Sequence, residues 1–94
     1  MAVVMTTVIP ASTDMYDSMN REMGFPSAVP QGLIAHHAAQ TDDGLLIFDI
    51  WESKEDFEAF AAEKLAPAME KVTGTSEGSG VKPVFGELYN EFHR

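Results

Sequence analysis

The sequence predicts a ferredoxin-like α+β domain, with one four-stranded antiparallel sheet and two helices in the order strand, helix, strand, strand, helix, strand. Three observations support it. A β-branched stretch, Ala2–Ile9, ends at Pro10. The turn Thr41-Asp42-Asp43-Gly44 joins two apolar stretches, as in a hairpin. Ser53 then opens a segment with apolar residues at helical spacing. A chain of 94 residues is expected to form a single domain, residues 1–94.

The first helix is predicted from a repeat of methionines. Ser12 or Thr13 can cap its N-terminus, and Gly24 supplies a stop at its C-terminus. One face combines Tyr16 with residues that recur every four positions: Met15, Met19 and Met23. Ordinary helix packing explains this stripe, and an adaptable pocket wall is the alternative.

The second half begins with a hairpin, formed by the strands Gly32–Gln40 and Gly44–Trp51. Ser53 and Asp56 then resemble a capping box that opens the second helix. The apolar face of this helix is predicted to contain Phe57, Phe60, Ala61 and Leu65.

Proline and glycine divide the rest of the chain. Pro67 predicts that Ala68–Val72 forms a separate turn or a kinked second helical piece. Residues 73–80 are small and polar and are expected to form a flexible loop. Lys82–Phe92 is predicted to be the fourth strand.

The composition excludes several classes of function. The sequence has no cysteine, which rules out disulfides and thiolate sites. With six basic residues and a net charge of −9, we expect no nucleic-acid partner and no anionic membrane partner. The N-terminal stretch lacks a basic region, and its apolar run is too short to span a bilayer. A cytoplasmic protein is the expectation.

The third strand is apolar on both faces, which predicts assembly. Leu46, Phe48 and Ile50 alternate with Leu45, Ile47 and Trp51, yet two helices can cover only one face of the sheet. Leaving three large side chains exposed would forfeit about 1.5–3 kcal/mol each. We therefore expect a homodimer with sheet facing sheet. The alternative is that loops or the C-terminal segment cover that face.

Three stretches of this sequence resemble the antibiotic biosynthesis monooxygenase-like group of the dimeric α+β barrel superfamily. They are Gly32–His36, Asp49–Ser53 and the apolar face that runs from Phe57 to Pro67. The resemblance implies two ferredoxin-like sheets joined in a barrel, with a pocket between each sheet and its helices. It also implies one of two activities: oxidation of aromatic polyketides or quinols without metal or flavin, or degradation of haem.

The resemblance to haem degraders is incomplete. Those members use a first-strand Asn, a Trp at the end of the third strand and a ligating His in the second helix. Trp51 matches, but the other two positions fall near Thr6 or Thr7 and near Met69. We therefore expect no haem and no other cofactor. The Asn, Tyr and Arg groups of the polyketide-oxidising members are not clearly present either.

Asp49 is the local anomaly, because it is a carboxylate among large apolar neighbours in the third strand. A histidine on the second strand is the obvious partner. A hairpin loop of two or four residues pairs it with His36, whereas a three-residue loop with a bulge selects His37. The family pattern has its histidine at the position of His36, so we expect His36.

Two hypotheses follow for function. In the first, His36 and Asp49 are catalytic: Asp49 orients the imidazole, and His36 takes a proton from a phenolic substrate. The substrate is a small aromatic or quinone-type molecule, and the residues expected to bind it are Trp51, Tyr16, Met19 and Phe57. In the second, the polar pair is structural, and the protein is a non-catalytic dimeric module for a small apolar ligand. A metal site is not expected, since adjacent strand histidines diverge.

Overall fold

The computed structural model describes residues 2–74 and 82–94. It confirms the predicted α+β ferredoxin-like fold. The four strands form one antiparallel sheet in the order β2-β3-β1-β4, and two helical segments complete the chain. The elements are β1 (Val3–Ile9), α1 (Thr13–Met23), β2 (Leu33–Thr41), β3 (Gly44–Trp51), α2 (Lys54–Phe60), a π-helical turn (Ala61–Leu65), α3 (Ala66–Thr73) and β4 (Val84–Glu87).

Side chains and a glycine define the helix ends. The Ser12 hydroxyl accepts a hydrogen bond from the backbone N–H of Met15 at 3.1 Å, which identifies the N-cap of α1 as Ser12 and not Thr13. Gly24 ends α1 with a φ of 85°, a conformation that glycine adopts without steric cost. Ser53 caps α2 by accepting from the N–H of Asp56.

The hairpin turn sets the register of β2 against β3. Thr41 pairs with Gly44, which leaves a two-residue loop. The Thr41 hydroxyl donates to the Gly44 carbonyl at 2.8 Å, and Gly44 itself has a φ of 137°. A Cβ at Gly44 would lie 2.5 Å from the Ile9 carbonyl oxygen, so only glycine fits. The resulting register aligns His36 with Asp49.

An irregularity at the start of β2 brings a further residue to the helical face. Leu33 pairs with Trp51 and Ala35 pairs with Ile50, so Ile34 is an extra residue in the strand. As a result, Leu33 and His36 both line the same cavity although they are three positions apart.

The second helical segment does not break at Pro67. A π-helical turn, Ala61–Leu65, leads directly into α3, and Pro67 lies in its first turn. A proline has no N–H and crowds the carbonyl four residues earlier. For Pro67 that carbonyl belongs to Glu63, inside the wider π turn. Of the two predicted alternatives for Ala68–Val72, the separate turn is therefore wrong, and the second helical piece is present as α3. The predicted loop begins at the last residue of α3 and lies mostly outside the described residues.

The fourth strand is shorter than predicted. It covers Val84–Glu87 instead of Lys82–Phe92. Its C-terminal end is set by its antiparallel partner β1, which begins at Val3, opposite Glu87. One further hydrogen bond follows, from the Leu88 N–H to the Ala2 carbonyl at 2.9 Å. Beyond it the chain is irregular, and Tyr89 and Phe92 are 98% and 89% exposed.

The core lies between the sheet and the helices. Its buried cluster consists of Met5, Leu45, Ile47 and Trp51. On the opposite face of β3, Ile50 is buried and Leu46 is half-buried, while Phe48 is 40% exposed. A single chain thus covers part of its second face. Within the described ranges, no helix has the length and apolar character needed to cross a bilayer.

Candidate functional site

A cavity of about 450 Å³ lies between the helical face of the sheet and the helices. Its wall is mainly apolar, with side chains from three strands and all the helical segments. Among the residues that line it are Met5, Thr7, Ile9, Met15, Tyr16, Met19, Leu33, His36, Ile47, Asp49, Trp51, Phe57, Phe60, Leu65 and Met69. This volume is within the usual range for a small-molecule site.

Asp49 is the buried polar residue of this wall, with only 4% of its surface exposed. One carboxylate oxygen, Oδ1, lies 2.5 Å from Nδ1 of His36. The other, Oδ2, accepts a hydrogen bond from Nε1 of Trp51 at 3.1 Å. Trp51 can reach it because residues two apart on a strand share a face. Both oxygens are therefore satisfied, which offsets the cost of burying the carboxylate.

His36 links this carboxylate to the first helix. Its Nε2 lies 2.5 Å from the hydroxyl oxygen of Tyr16 on α1, and the two rings are nearly parallel. An ionised carboxylate only accepts hydrogen bonds. In the neutral imidazole, Nδ1 of His36 then carries the hydrogen that is donated to Asp49, and Nε2 accepts a hydrogen bond from the Tyr16 hydroxyl. Tyr16, His36 and Asp49 thus form one hydrogen-bonded line from helix to sheet.

The structure brings the six residues singled out by the sequence to one cavity. They all line this cavity: Tyr16, Met19, His36, Asp49, Trp51 and Phe57. The ring of Phe57 meets Trp51 edge-on, with centroids 5.6 Å apart. One detail differs from the hypothesis that His36 meets the substrate itself. Nε2 of His36 is already hydrogen-bonded to the Tyr16 hydroxyl, so a ligand in the cavity meets this nitrogen only by way of Tyr16.

The other histidines lie elsewhere. His37 is on the opposite face of the sheet, where Nδ1 is 3.1 Å from the Phe48 carbonyl oxygen. His93 is in the exposed C-terminal segment beside Glu91. Among residues 2–74 and 82–94, no group of three or more side chains that could hold a metal ion is found.

Sequence reasoning named Thr7 only as a possible position of the haem degraders' Asn and gave it no place in the cavity. It lines the cavity, and its hydroxyl oxygen is buried with no hydrogen-bond partner in the described part of the chain. A signal was available, because Met5, Thr7 and Ile9 alternate along β1 and so share the face of the buried Met5. Threonine at the central position is the polar exception.

Comparison with known proteins finds solved structures that share this fold. No protein-family model and no curated protein matches this sequence. Among solved structures, a monooxygenase from the ActVA-Orf6 gene of Streptomyces coelicolor, in complex with nanaomycin D, is 17% identical, with a TM-score of 0.58 and coverage of 99% of this chain and 90% of that one. SnoaB of Streptomyces nogalater, a cofactor-independent oxygenase, is 11% identical, with a TM-score of 0.60 and coverage of 99% and 96%.

This chain has the fold of the antibiotic biosynthesis monooxygenase-like proteins. An MhuD variant with two manganese protoporphyrin IX molecules bound per active site shares it as well, at 16% identity, a TM-score of 0.62 and full coverage of both chains. At these identities the likeness establishes the fold alone, and the chemistry has to be argued from the side chains of this cavity.

Proposed function

We propose that this protein is a cofactor-independent oxygenase that acts on a small aromatic phenol or quinol. One observation carries the proposal: the line Tyr16–His36–Asp49 ends at the wall of an otherwise apolar cavity. A proton acceptor at an apolar wall suits a flat, weakly acidic ligand. Rings such as Trp51 and Phe57 offer surfaces for its faces.

The line supplies a route for one proton. The Tyr16 hydroxyl gives its hydrogen to Nε2 of His36 and takes the hydrogen of the substrate hydroxyl. The imidazolium that forms is balanced by Asp49, whose carboxylate holds Nδ1. The result is a substrate anion, an imidazolium and a neutral tyrosine, so charge and protons are conserved.

The electron-rich anion then reacts with dioxygen. It gives one electron to O₂, and the resulting radicals combine at a ring carbon to form a peroxide. The proton stored on His36 returns through Tyr16 to the peroxide. The O–O bond then breaks as the ring carbon loses its hydrogen, which releases water and leaves a quinone. In net terms the ring loses two hydrogens, and O₂ supplies one oxygen atom to the quinone and one to water.

Haem chemistry fits these side chains poorly. A histidine that ligates haem iron needs a free imidazole nitrogen, but both nitrogens of His36 are engaged, and His37 lies on the other face. Met69 lines the cavity where the resemblance implies a ligating histidine. We therefore propose a reaction without haem, flavin or metal. A haem titration is expected to leave the Soret band of free haem unshifted at equal concentrations.

Oxygen uptake with a panel of naphthols and quinols tests the proposal. We expect turnover by the natural sequence and a loss of about 10²–10⁴ in the His36→Ala variant, the range typical of general acid–base groups. His37→Ala is the matched control, because His37 is the next residue but lies on the opposite face. Equal rates in the natural sequence and His36→Ala would remove His36 from the mechanism.

A second candidate function is non-catalytic binding of a small apolar ligand. It is favoured by the fact that both carboxylate oxygens of Asp49 and both nitrogens of His36 already have hydrogen-bond partners, as in buried structural networks. Such a module would bind aromatics without consuming oxygen. Because Trp51 is the only tryptophan of the sequence and lines the cavity, its fluorescence reports binding independently of turnover.

We also propose that a second copy of this chain covers the free face of the sheet. The apolar side chains left in water there support a homodimer. Phe48 and Val84 both pair with Thr6 and so share this face, and they are 40% and 66% exposed. Sedimentation tests it. A species of twice 10.3 kDa is expected at micromolar concentration, and a 10.3 kDa particle would contradict it.

A further inference from the structure

We propose that His37 makes the pairing of two copies of this chain depend on pH, so that the dimer separates as His37 takes up a proton. This inference rests on the homodimer proposed above, in which a second copy covers the free face of the sheet. It adds a regulation of that assembly: the dimer is tight at pH 8 and dissociates under mildly acidic conditions.

The free face carries one side chain that titrates near neutral pH. Residues that pair across neighbouring strands point to the same side of the sheet, so the register gives the composition of this face. It consists of Val4, Thr6, Val8, Ala35, His37, Ala39, Leu46, Phe48, Ile50, Val84 and Gly86. None of these strand residues is Asp, Glu, Lys or Arg. Histidine is the side chain whose charge changes between pH 5 and 8.

The distribution of charge makes a second copy the occupant that suits this face. The chain has 15 acidic and six basic residues, so two copies repel each other over most contacts. The strand residues of the free face include no carboxylate, which lets two copies join there without bringing acidic side chains together. A basic partner would be attracted to the acidic parts of the surface instead.

The hydrogen bonding of His37 suits the neutral imidazole. Its Nδ1 lies 3.1 Å from the carbonyl oxygen of Phe48, and a carbonyl can only accept, so Nδ1 carries a hydrogen. Nε2 has no hydrogen-bond partner among residues 2–74 and 82–94. The ring meets that of Phe48 edge-on, with centroids 5.9 Å apart. A second proton, on Nε2, therefore adds a charge to an apolar surrounding.

No carboxylate of the neighbouring strand residues can balance that charge. Asp49 follows Phe48 in β3 but points to the helical side of the sheet. Asp42 and Asp43 lie in the hairpin turn, and at a rise of about 3.3 Å per residue the nearer of them is roughly 16 Å from His37 along the chain. Thr6, the other polar residue of the face, is two strands away, about 10 Å.

Burial by a second copy therefore favours the uncharged ring. An imidazolium in the interface would lose its water without gaining a counter-charge, whereas the neutral ring keeps its hydrogen bond to Phe48. A symmetric dimer holds two such rings, so its dissociation takes up two protons. For side chains that titrate near pH 6.5, as histidine ordinarily does, the dissociation constant rises about 10²-fold between pH 8 and pH 5.5.

Sedimentation equilibrium of the full chain at pH 8, 7, 6 and 5.5, at constant ionic strength, tests the inference. We expect the dissociation constant of the natural protein to rise about 10²-fold over this range. His37→Gln keeps a polar side chain without a titrating ring, and its constant is expected to change less than threefold. His93→Gln is the matched control, because the His93 side chain is 81% exposed, and it is expected to follow the natural protein.

His37→Phe covers the case in which glutamine itself weakens the interface, and we expect it to remain a dimer at pH 5.5. Equal pH profiles in the natural protein and His37→Phe would overturn the role of His37 and leave the homodimer intact. A natural dimer that tightens on acidification would show that a carboxylate of the second copy meets His37, which also overturns the inference. Particles of 10.3 kDa at every pH and in every variant would overturn the homodimer itself.

Discussion

The hydroxyl oxygen of Tyr16 lies 2.5 Å from Nε2 of His36, and this hydrogen bond joins the first helix to the sheet at the cavity wall. The other nitrogen of the imidazole is held by Asp49, which is also bound by Trp51. Four side chains from two strands and one helix therefore depend on one another. The outermost member of the network is a phenol, so the proposed proton transfer begins there and not at the imidazole.

Replacing Tyr16 by phenylalanine tests that order directly. Tyr16→Phe keeps the aromatic ring beside His36 and removes only the hydroxyl. We expect oxygen uptake to fall by about 10²–10⁴ while ligand binding, followed by Trp51 fluorescence, stays nearly the same. Tyr89→Phe is the matched control, because Tyr89 is 98% exposed. A Tyr16→Phe protein with full oxygen uptake would show that the substrate proton does not pass through Tyr16.

Removing the Asp49 carboxylate is expected to weaken the fold. In Asp49→Ala, the buried N–H of Trp51 and Nδ1 of His36 lose their acceptor. An unpaired buried donor costs about 1–3 kcal/mol, so we expect at least that loss in the free energy of unfolding. Urea denaturation measures it. Asp17→Ala, on an exposed position of α1, is expected to change the same quantity by no more than about 0.5 kcal/mol.

The hairpin turn controls the register that unites His36 and Asp49. Gly44→Ala places a methyl group against the Ile9 carbonyl in a backbone conformation with φ of 137°. We expect a destabilisation of about 1–3 kcal/mol, the usual cost of a strained backbone. Gly86→Ala is the control, since nothing lies within 4 Å of a Cβ there. Equal denaturation midpoints for the two variants would mean that the turn tolerates a side chain.

One ion pair, between Lys71 and Glu22, is expected to make the stability of the fold depend on pH. A hydrogen bond and the charge of Glu22 raise the pKa of Lys71 above its ordinary 10.5. The folded chain therefore holds this proton more tightly than the unfolded chain. The stabilisation is present below pH 10.5 and is lost as the pH rises through the raised pKa.

The effect is expected to be small, because the Lys71 side chain is 73% exposed and surface pairs contribute little. Urea denaturation below and above this pH window measures it. Glu22→Gln is expected to remove this part of the pH dependence, and a variant with an unchanged pH profile would contradict the assignment to Lys71.

The pattern of local residues predicted most of the fold. Ser53 and Asp56 identified the start of α2, and the alternation in β3 identified a strand with two apolar faces. The C-terminal end of β4 could not be predicted from local residues, because it depends on where the partner strand β1 begins, opposite Glu87. The π-helical turn could not be predicted either, because Pro67 indicates that the helix is disturbed but not which conformation results.

The parts of the site that depend on the pairing and alternation of the strands could be predicted from the sequence. A two-residue loop puts His36 beside Asp49, and the structure has that loop. The bond between Trp51 and Asp49 follows from the same period of two, although the sequence analysis predicts for Trp51 only that it binds the substrate. The contact between Tyr16 and His36 depends on how α1 packs on the sheet, which no local pattern encodes. That the Thr7 hydroxyl oxygen has no hydrogen-bond partner among the described residues likewise depends on its surroundings.

The central claim is that the line Tyr16–His36–Asp49 removes a proton from a phenolic ligand. Its most direct measurement is the absorption spectrum of a naphthol bound anaerobically at neutral pH, in the natural protein and in His36→Ala. The account predicts the naphtholate band for the bound ligand in the natural protein and the spectrum of neutral naphthol in His36→Ala. Neutral naphthol bound equally well to both proteins would contradict it.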